Sequence, residues 1–195
     1  MPKFTRRSSR IATAIALPAA VVAAGLIVST SSYAAFSSTT SNEGNTWTAG
    51  SVQLGDDDAE RALFSVPDAK PGDGGSNCIA VTSTGSLASE VRLYAAPGGA
   101  DGLSEHLSLI VEQGTGGGYG TCDGFTAQTM VFDGRLSAFT SAHSSFADGA
   151  ATWSPSGSGS ETRTFRITWQ LADDAPNSAQ GATAATSFVW EAQNS

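Results

Sequence analysis

The sequence predicts an all-β chain, an antiparallel β-sandwich of jelly-roll type with one or two short helices, and three observations carry that prediction. Stretches in which apolar and polar residues alternate recur at short intervals, turn formers separate them, and no long stretch keeps a helical period. The composition agrees, because 22 glycines and only 14% charged residues among 195 suit short strands joined by turns.

The N-terminal part follows a different logic. Lys3, Arg6, Arg7 and Arg10 make a basic start, no acid occurs before residue 36, and residues 11–28 are an apolar run broken by Thr13, Pro18 and Gly25. Ser32-Tyr-Ala-Ala35 then offers the small residues that a signal peptidase reads, so residues 1–35 are expected to be a secretory signal peptide. Cleavage is expected after Ala35, with Ala34, Ala35 and Phe36 forming the site. The alternative is a retained anchor, since the run approaches the ~20 residues that span a bilayer. Ser and Thr follow at once and no second basic cluster flanks the run, which favours cleavage.

Residues 36–48 read as a flexible polar arm with too little apolar surface to offset the entropy of ordering. Residues 49–195 read as the sandwich domain. Val52 and Leu54 alternate, placing a first strand near Ala49, and Asp56-Asp57-Asp58 reads as a solvated acidic turn rather than a calcium loop, for which its spacing is wrong. Leu63-Phe-Ser-Val66 is expected to be a short strand, ended by the turn Pro67-Asp-Ala-Lys-Pro-Gly-Asp73. Asn77–Ser83 alternates Cys78, Ala80 and Thr82 against Ile79 and Val81. Glu90–Ala96 alternates Val91, Leu93 and Ala95 against Glu90, Arg92 and Tyr94. After a break at Pro97–Gly102 and a helical turn at Leu103–Leu107, Ser108–Gln113 is a strand and Gly114–Gly120 a flexible loop. Gln128–Phe132 is a further strand. Leu136, Phe139, His143 and Phe146, at spacings of three and four, predict a short helix over 136–146. Thr162–Leu171 puts Phe165, Ile167, Trp169 and Leu171 on one face, and Thr183–Ala192 is β-branched and aromatic.

Charge and cysteine content bound the function. Without the four basic residues of 1–35 the formal charge falls from −8 to −12, which repels phosphate backbones and anionic lipid. Nucleic acid and, after cleavage, membranes are therefore excluded as expected partners. Cys78 and Cys122, an even count in an exported chain, are expected to form one disulfide, two buried free thiols being the alternative. They make no zinc site, having no CxxC and no neighbouring His pair.

No chemistry-bearing motif emerges. His106 and His143 belong to no H-E-x-x-H, the glycine loop lacks the GK[ST] ending of a phosphate cradle, and no serine sits in G-x-S-x-G. Asp173 and Asp174 are neighbours and point apart. Trp47, Trp153, Trp169 and Trp190 could line a carbohydrate platform, but three lie in or beside strands and read as core. No catalytic residue, metal or cofactor is expected, and the chain is not read as an enzyme.

Several segments taken together resemble one family. Ala34-Ala35-Phe36 closes the signal. Thr46-Trp-Thr-Ala-Gly-Ser-Val-Gln-Leu54 is similar to an aromatic followed by A/S-G-[ST]-L/V-x-L. Lys70-Pro-Gly-Asp73, Thr84-Gly-Ser-Leu87, Gln180-Gly181 and Glu191-Ala-Gln193 follow in order. In this the chain resembles the TasA/camelysin family of exported bacterial surface and biofilm-matrix proteins. The resemblance implies a jelly roll, cleavage by a dedicated signal peptidase, and self-association into head-to-tail filaments at the cell surface or in a biofilm matrix. It also implies that the arm, with Phe36, Ser37, Thr39, Asn45 and Trp47, adds as a strand to the next subunit. Such assembly is sound physically, because an extended peptide can satisfy an open sheet edge with main-chain hydrogen bonds. Some relatives carry a metallopeptidase label, which the missing H-E-x-x-H argues against here. The expected function is thus a secreted structural subunit or accessory of a surface fibre. A monomeric surface adhesion module is the alternative, and a secreted metalloprotease the third reading.

Overall fold

The chain crosses between two sheets and covers one of them with its own loops. The computed structural model describes residues 48–96 and 100–194, within a unit spanning Thr48–Ser195. The cleavage site and the arm, from Ala34 to Trp47, lie outside the described residues.

The strands are β1 (Leu54–Asp56), β2 (Gly74–Ser83), β3 (Ser89–Ala96), β4 (Ala100–Asp101), β5 (Leu107–Thr115), β6 (Thr126–Arg135), β7 (Ala150–Trp153), β8 (Glu161–Leu171), β9 (Thr183–Ala184) and β10 (Ser187–Asn194), with helix α1 (Leu136–Ala142) after β6. One sheet has the order β1-β2-β8-β5-β6, the second β10-β3-β7, and β4 pairs with β9 beside them. Every strand pair is antiparallel. An all-β antiparallel sandwich is therefore the fold, as the alternation predicts.

The core is where period-two faces of both sheets meet. Ile79 and Val81 of β2, Leu109 and Val111 of β5, and Phe165 and Ile167 of β8 pack with Val91, Leu93 and Ala95 of β3 and Trp153 of β7 in one buried cluster. Phe165 bridges the layers, with ring centres 6.0 Å from Trp153 and 5.1 Å from Trp190. Helix α1 closes one side, where Phe139, fully buried, stacks on Phe132 and Phe188 at 5.0 and 5.8 Å.

Several boundaries differ from the sequence reading, each for a physical reason. Residues 48–53 are not strand; they run beside the 84–87 turn, with Ser51 and Ser86 exchanging hydrogen bonds, and pairing with β2 starts only at Leu54. Leu63–Val66 is not strand either, because its apolar side chains turn into the space between the sheets without joining a ladder. The helix stops at Ala142, since Asp148 gathers Ser144 and Ser145 into a tight loop at 2.7 to 3.1 Å. The last predicted strand is split in two between Ala184 and Ser187.

Candidate functional site

Antiparallel sheets leave edges, and the way each is treated points to the site. β1 has three residues, and just beyond it the Asp57 carboxylate accepts the Ala80 main-chain N–H at 2.8 Å, where a longer strand would have paired. β6 pairs with β5 through two register shifts, at Val111/Glu112 and Gln113/Gly114, and such bulges blunt an edge. β7 is four residues long with a shift of its own. β10 is different. It pairs with β3 over eight consecutive residues, Ser187↔Ala96 to Asn194↔Ser89, with no shift, and ends its sheet on the other side. Among the described strands it offers the longest regular edge.

Between that edge and the first sheet lies a groove. A hollow of about 560 Å³ is lined by Leu63, Phe64, Leu107, Trp169, Phe188 and Trp190 among others. A second, about 210 Å³, continues it between β1 and β10 and shares Phe188 and Trp190. One wall is made of core-facing strand positions such as Leu109, Trp169 and Phe188, and the other of the connection before β2, which brings the polar Asp58, Glu60 and Arg61 as well as Leu63 and Phe64. Next to the groove, the Trp190 indole N–H and the Thr186 hydroxyl are shielded from solvent and have no hydrogen-bond partner among the described residues, and an unpaired buried donor costs about 1–3 kcal/mol.

The register also fixes where the groove sits along the sandwich. The starts of β2, β5 and β10 share one end, as Gly74↔Gln170, Leu107↔Leu171 and Ser187↔Ala96 show. The larger hollow is lined from that end. The opposite end carries the 84–87 turn, and there Ser51 accepts the Ser86 and Leu87 N–H groups. Ser51 therefore lies about 30 Å of strand from the start of β2, at the end towards which the smaller hollow extends beside Leu54.

Cys78 and Cys122 form the expected disulfide. It is no part of the core: Cys78 lies on the outer face of β2, opposite Ile79, and is fully buried because the β5–β6 loop folds back over that face. Gly116 and Gly117, at φ of 80° and 72°, let the loop reverse. Arg166 stacks under Phe125 at 4.7 Å and pairs with Glu112 at 2.6 Å. Tyr119 ties this loop to the groove rim. Its N–H donates to Asp57 and its hydroxyl to the Ala62 carbonyl, both within 2.9 Å, and Arg61 lies over its ring. Asp57, expected to be merely solvated, is thus a structural pin.

The histidines do not meet a metal-binding group. His106 lies in the turn before β5, its N–H on the Leu103 carbonyl. The His143 ring packs on Phe132 and Phe139, with Nδ1 2.6 Å from the Asp148 carbonyl. Among the described residues no three His, Cys, Asp or Glu side chains gather as ligands. Of the tryptophans, Trp153 is core while Trp169 and Trp190 line the groove. Sequence reasoning missed the groove, and Leu63, Phe64 and Val66 held its signal: an apolar stretch too short for a ladder, fenced by an acidic turn and a proline turn. No protein-family model matches the chain, and no curated protein matches it.

Proposed function

We propose that the chain is a secreted structural subunit or accessory of an extracellular surface fibre or biofilm matrix, whose groove receives the N-terminal arm of another copy. The observation that carries this reading is the groove along the regular β10 edge, whose larger hollow lies towards the end of the sandwich opposite Ser51. Residues 36–47, freed by cleavage after Ala35, reach at most ~40 Å when extended, which suffices to run the length of β10. An arm leaving one subunit at its lower end and meeting the upper end of the next enters with Phe36 leading, and so runs antiparallel to β10. The same arm folded onto its own subunit runs parallel to β10, the slightly weaker pairing. Head-to-tail contacts of this kind do not close and so make filaments. The resemblance to the TasA/camelysin family and the jelly-roll connectivity it implies belong to the same proposal, as do export by signal peptidase and a surface location. The disulfide is compatible with an oxidising, extracellular setting.

The test compares the chain starting at Phe36 with one starting at Ala49. Filaments seen by electron microscopy from the first and none from the second are the expected result. If both remain monomeric at every concentration and pH, fibre assembly fails and a monomeric adhesion module takes its place.

A further inference from the structure

The connection from residue 57 to residue 73 has no helix or strand, and a segment that long without secondary structure inside a domain calls for an explanation. Its middle forms one wall of the groove. Leu63 and Phe64 pack on the core from the groove side, Phe64 meets the Trp169 ring edge-on at 6.5 Å, and Val66 and Ala69 complete the lining. Its hold is slight. No main-chain to main-chain hydrogen bond joins residues 62–69 to either sheet among the described residues. Two side chains reach in instead, Asn77 Nδ2 to the Leu63 carbonyl at 2.8 Å and the Tyr119 hydroxyl to the Ala62 carbonyl at 2.9 Å.

The segment is also strained. Ala59, Glu60 and Asp68, with φ of 52°, 63° and 57°, are the three non-glycine residues with left-handed φ in the described chain, and all lie within it. Both ends are fixed. Asp57 is pinned to Ala80 and Tyr119, while Gly72 donates to the Leu171 carbonyl and the Lys70 N–H meets the Asp73 carboxylate.

We propose that residues 58–69 are a gate: a strap that narrows the acceptor groove of the free subunit by packing Leu63 and Phe64 on the core, and that swings out when an incoming main chain enters. The inference rests on the groove being the acceptor for another copy's arm. Strain within the strap and its slight main-chain hold both favour its displacement, while the fixed ends keep it on the molecule. The strap thereby slows assembly until subunits are concentrated enough for the arm to compete.

The test uses the chain exported and processed by its own signal, comparing filament growth by light scattering in the wild type, Phe64→Ala and Ala59→Gly. Phe64→Ala removes the strap's main anchor and is expected to speed growth roughly tenfold. Ala59→Gly relaxes the docked strap and is expected to slow growth about fivefold. Being an exposed site, position 59 keeps the test valid even if Phe64→Ala folds poorly. Limited proteolysis supplies the second readout: cleavage after Arg61, which packs on the Tyr119 ring, is expected to be slow in the subunit and faster in the filament. Filaments that grow equally fast from all three chains, with the strap protected throughout, overturn the strap and leave the arm-in-groove reading standing. No filaments from any chain overturn both, since nothing is left to gate.

Discussion

Asp148 shows how much one side chain can organise. Its carboxylate accepts the N–H and hydroxyl of both Ser144 and Ser145, and the Ser145 N–H, foremost among these donors, lowers its pKa to about 2. A carboxylate depressed in the folded state adds stability above its ordinary range and loses it as pH falls through the folded value. Asp148→Ala is therefore expected to melt below the wild type near neutral pH, and the gap in Tm is expected to close as pH falls from 4 towards 2. A gap independent of pH removes the ionised carboxylate from the explanation. The sequence showed Ser144, Ser145 and Asp148 but not their convergence, because three short polar residues in a loop carry no periodicity. Asp57 was equally illegible, since its role depends on Tyr119, far along the chain. Replacing Asp57 with Ala frees the Ala80 and Tyr119 N–H groups, and at this exposed site is expected to cost about 1 kcal/mol in denaturant unfolding.

Among the elements, those with strict alternation were legible and those defined by what they lack were not. β2, β3 and β8 bury the faces their side-chain patterns announce, Ile79 and Val81, Val91 and Leu93, Phe165 and Ile167. The groove was hidden because its strand wall is made of the same residue types as a closed core, while its other wall comes from the connection around Leu63 and Phe64, whose placement no local pattern announces. The β5–β6 loop was misjudged in kind, its glycines reading as flexibility where they permit a reversal that Cys78–Cys122 then fastens. That fastening makes a prediction at this scale. Replacing both cysteines by serine is expected to cost about 2–4 kcal/mol in denaturant unfolding, as for a closed loop of this size. Because the loop carries Tyr119, hydrogen exchange is also expected to rise in residues 57–64. Unchanged exchange there separates the disulfide from the groove rim.

For the whole molecule, the proposed assembly has to overcome charge. With residues 1–35 removed the chain carries −12, so each subunit approaches a filament end of its own sign, and the repulsion acts before any strand pairs. The arm itself adds little to it, since Glu43 is its one charged side chain and cleavage leaves a compensating amino group on Phe36. Long-range repulsion between whole subunits combined with an almost neutral inserting segment implies that salt controls the rate of encounter more than the stability of the joint. Raising ionic strength from 0.01 M to 0.15 M shortens the screening length from about 30 Å to about 8 Å. Growth of filaments from the chain starting at Phe36 is expected to accelerate over that range, by about tenfold if the steering seen for opposite charges applies with its sign reversed. Lowering pH into the carboxylate range is expected to act the same way, by removing charge instead of screening it. Dissociation of preformed filaments is expected to respond far less to either change, because an inserted strand is held by main-chain hydrogen bonds and apolar burial. Growth that slows with added salt, or filaments that fall apart in it, means that opposite charges hold the joint and that the arm is not its principal contact.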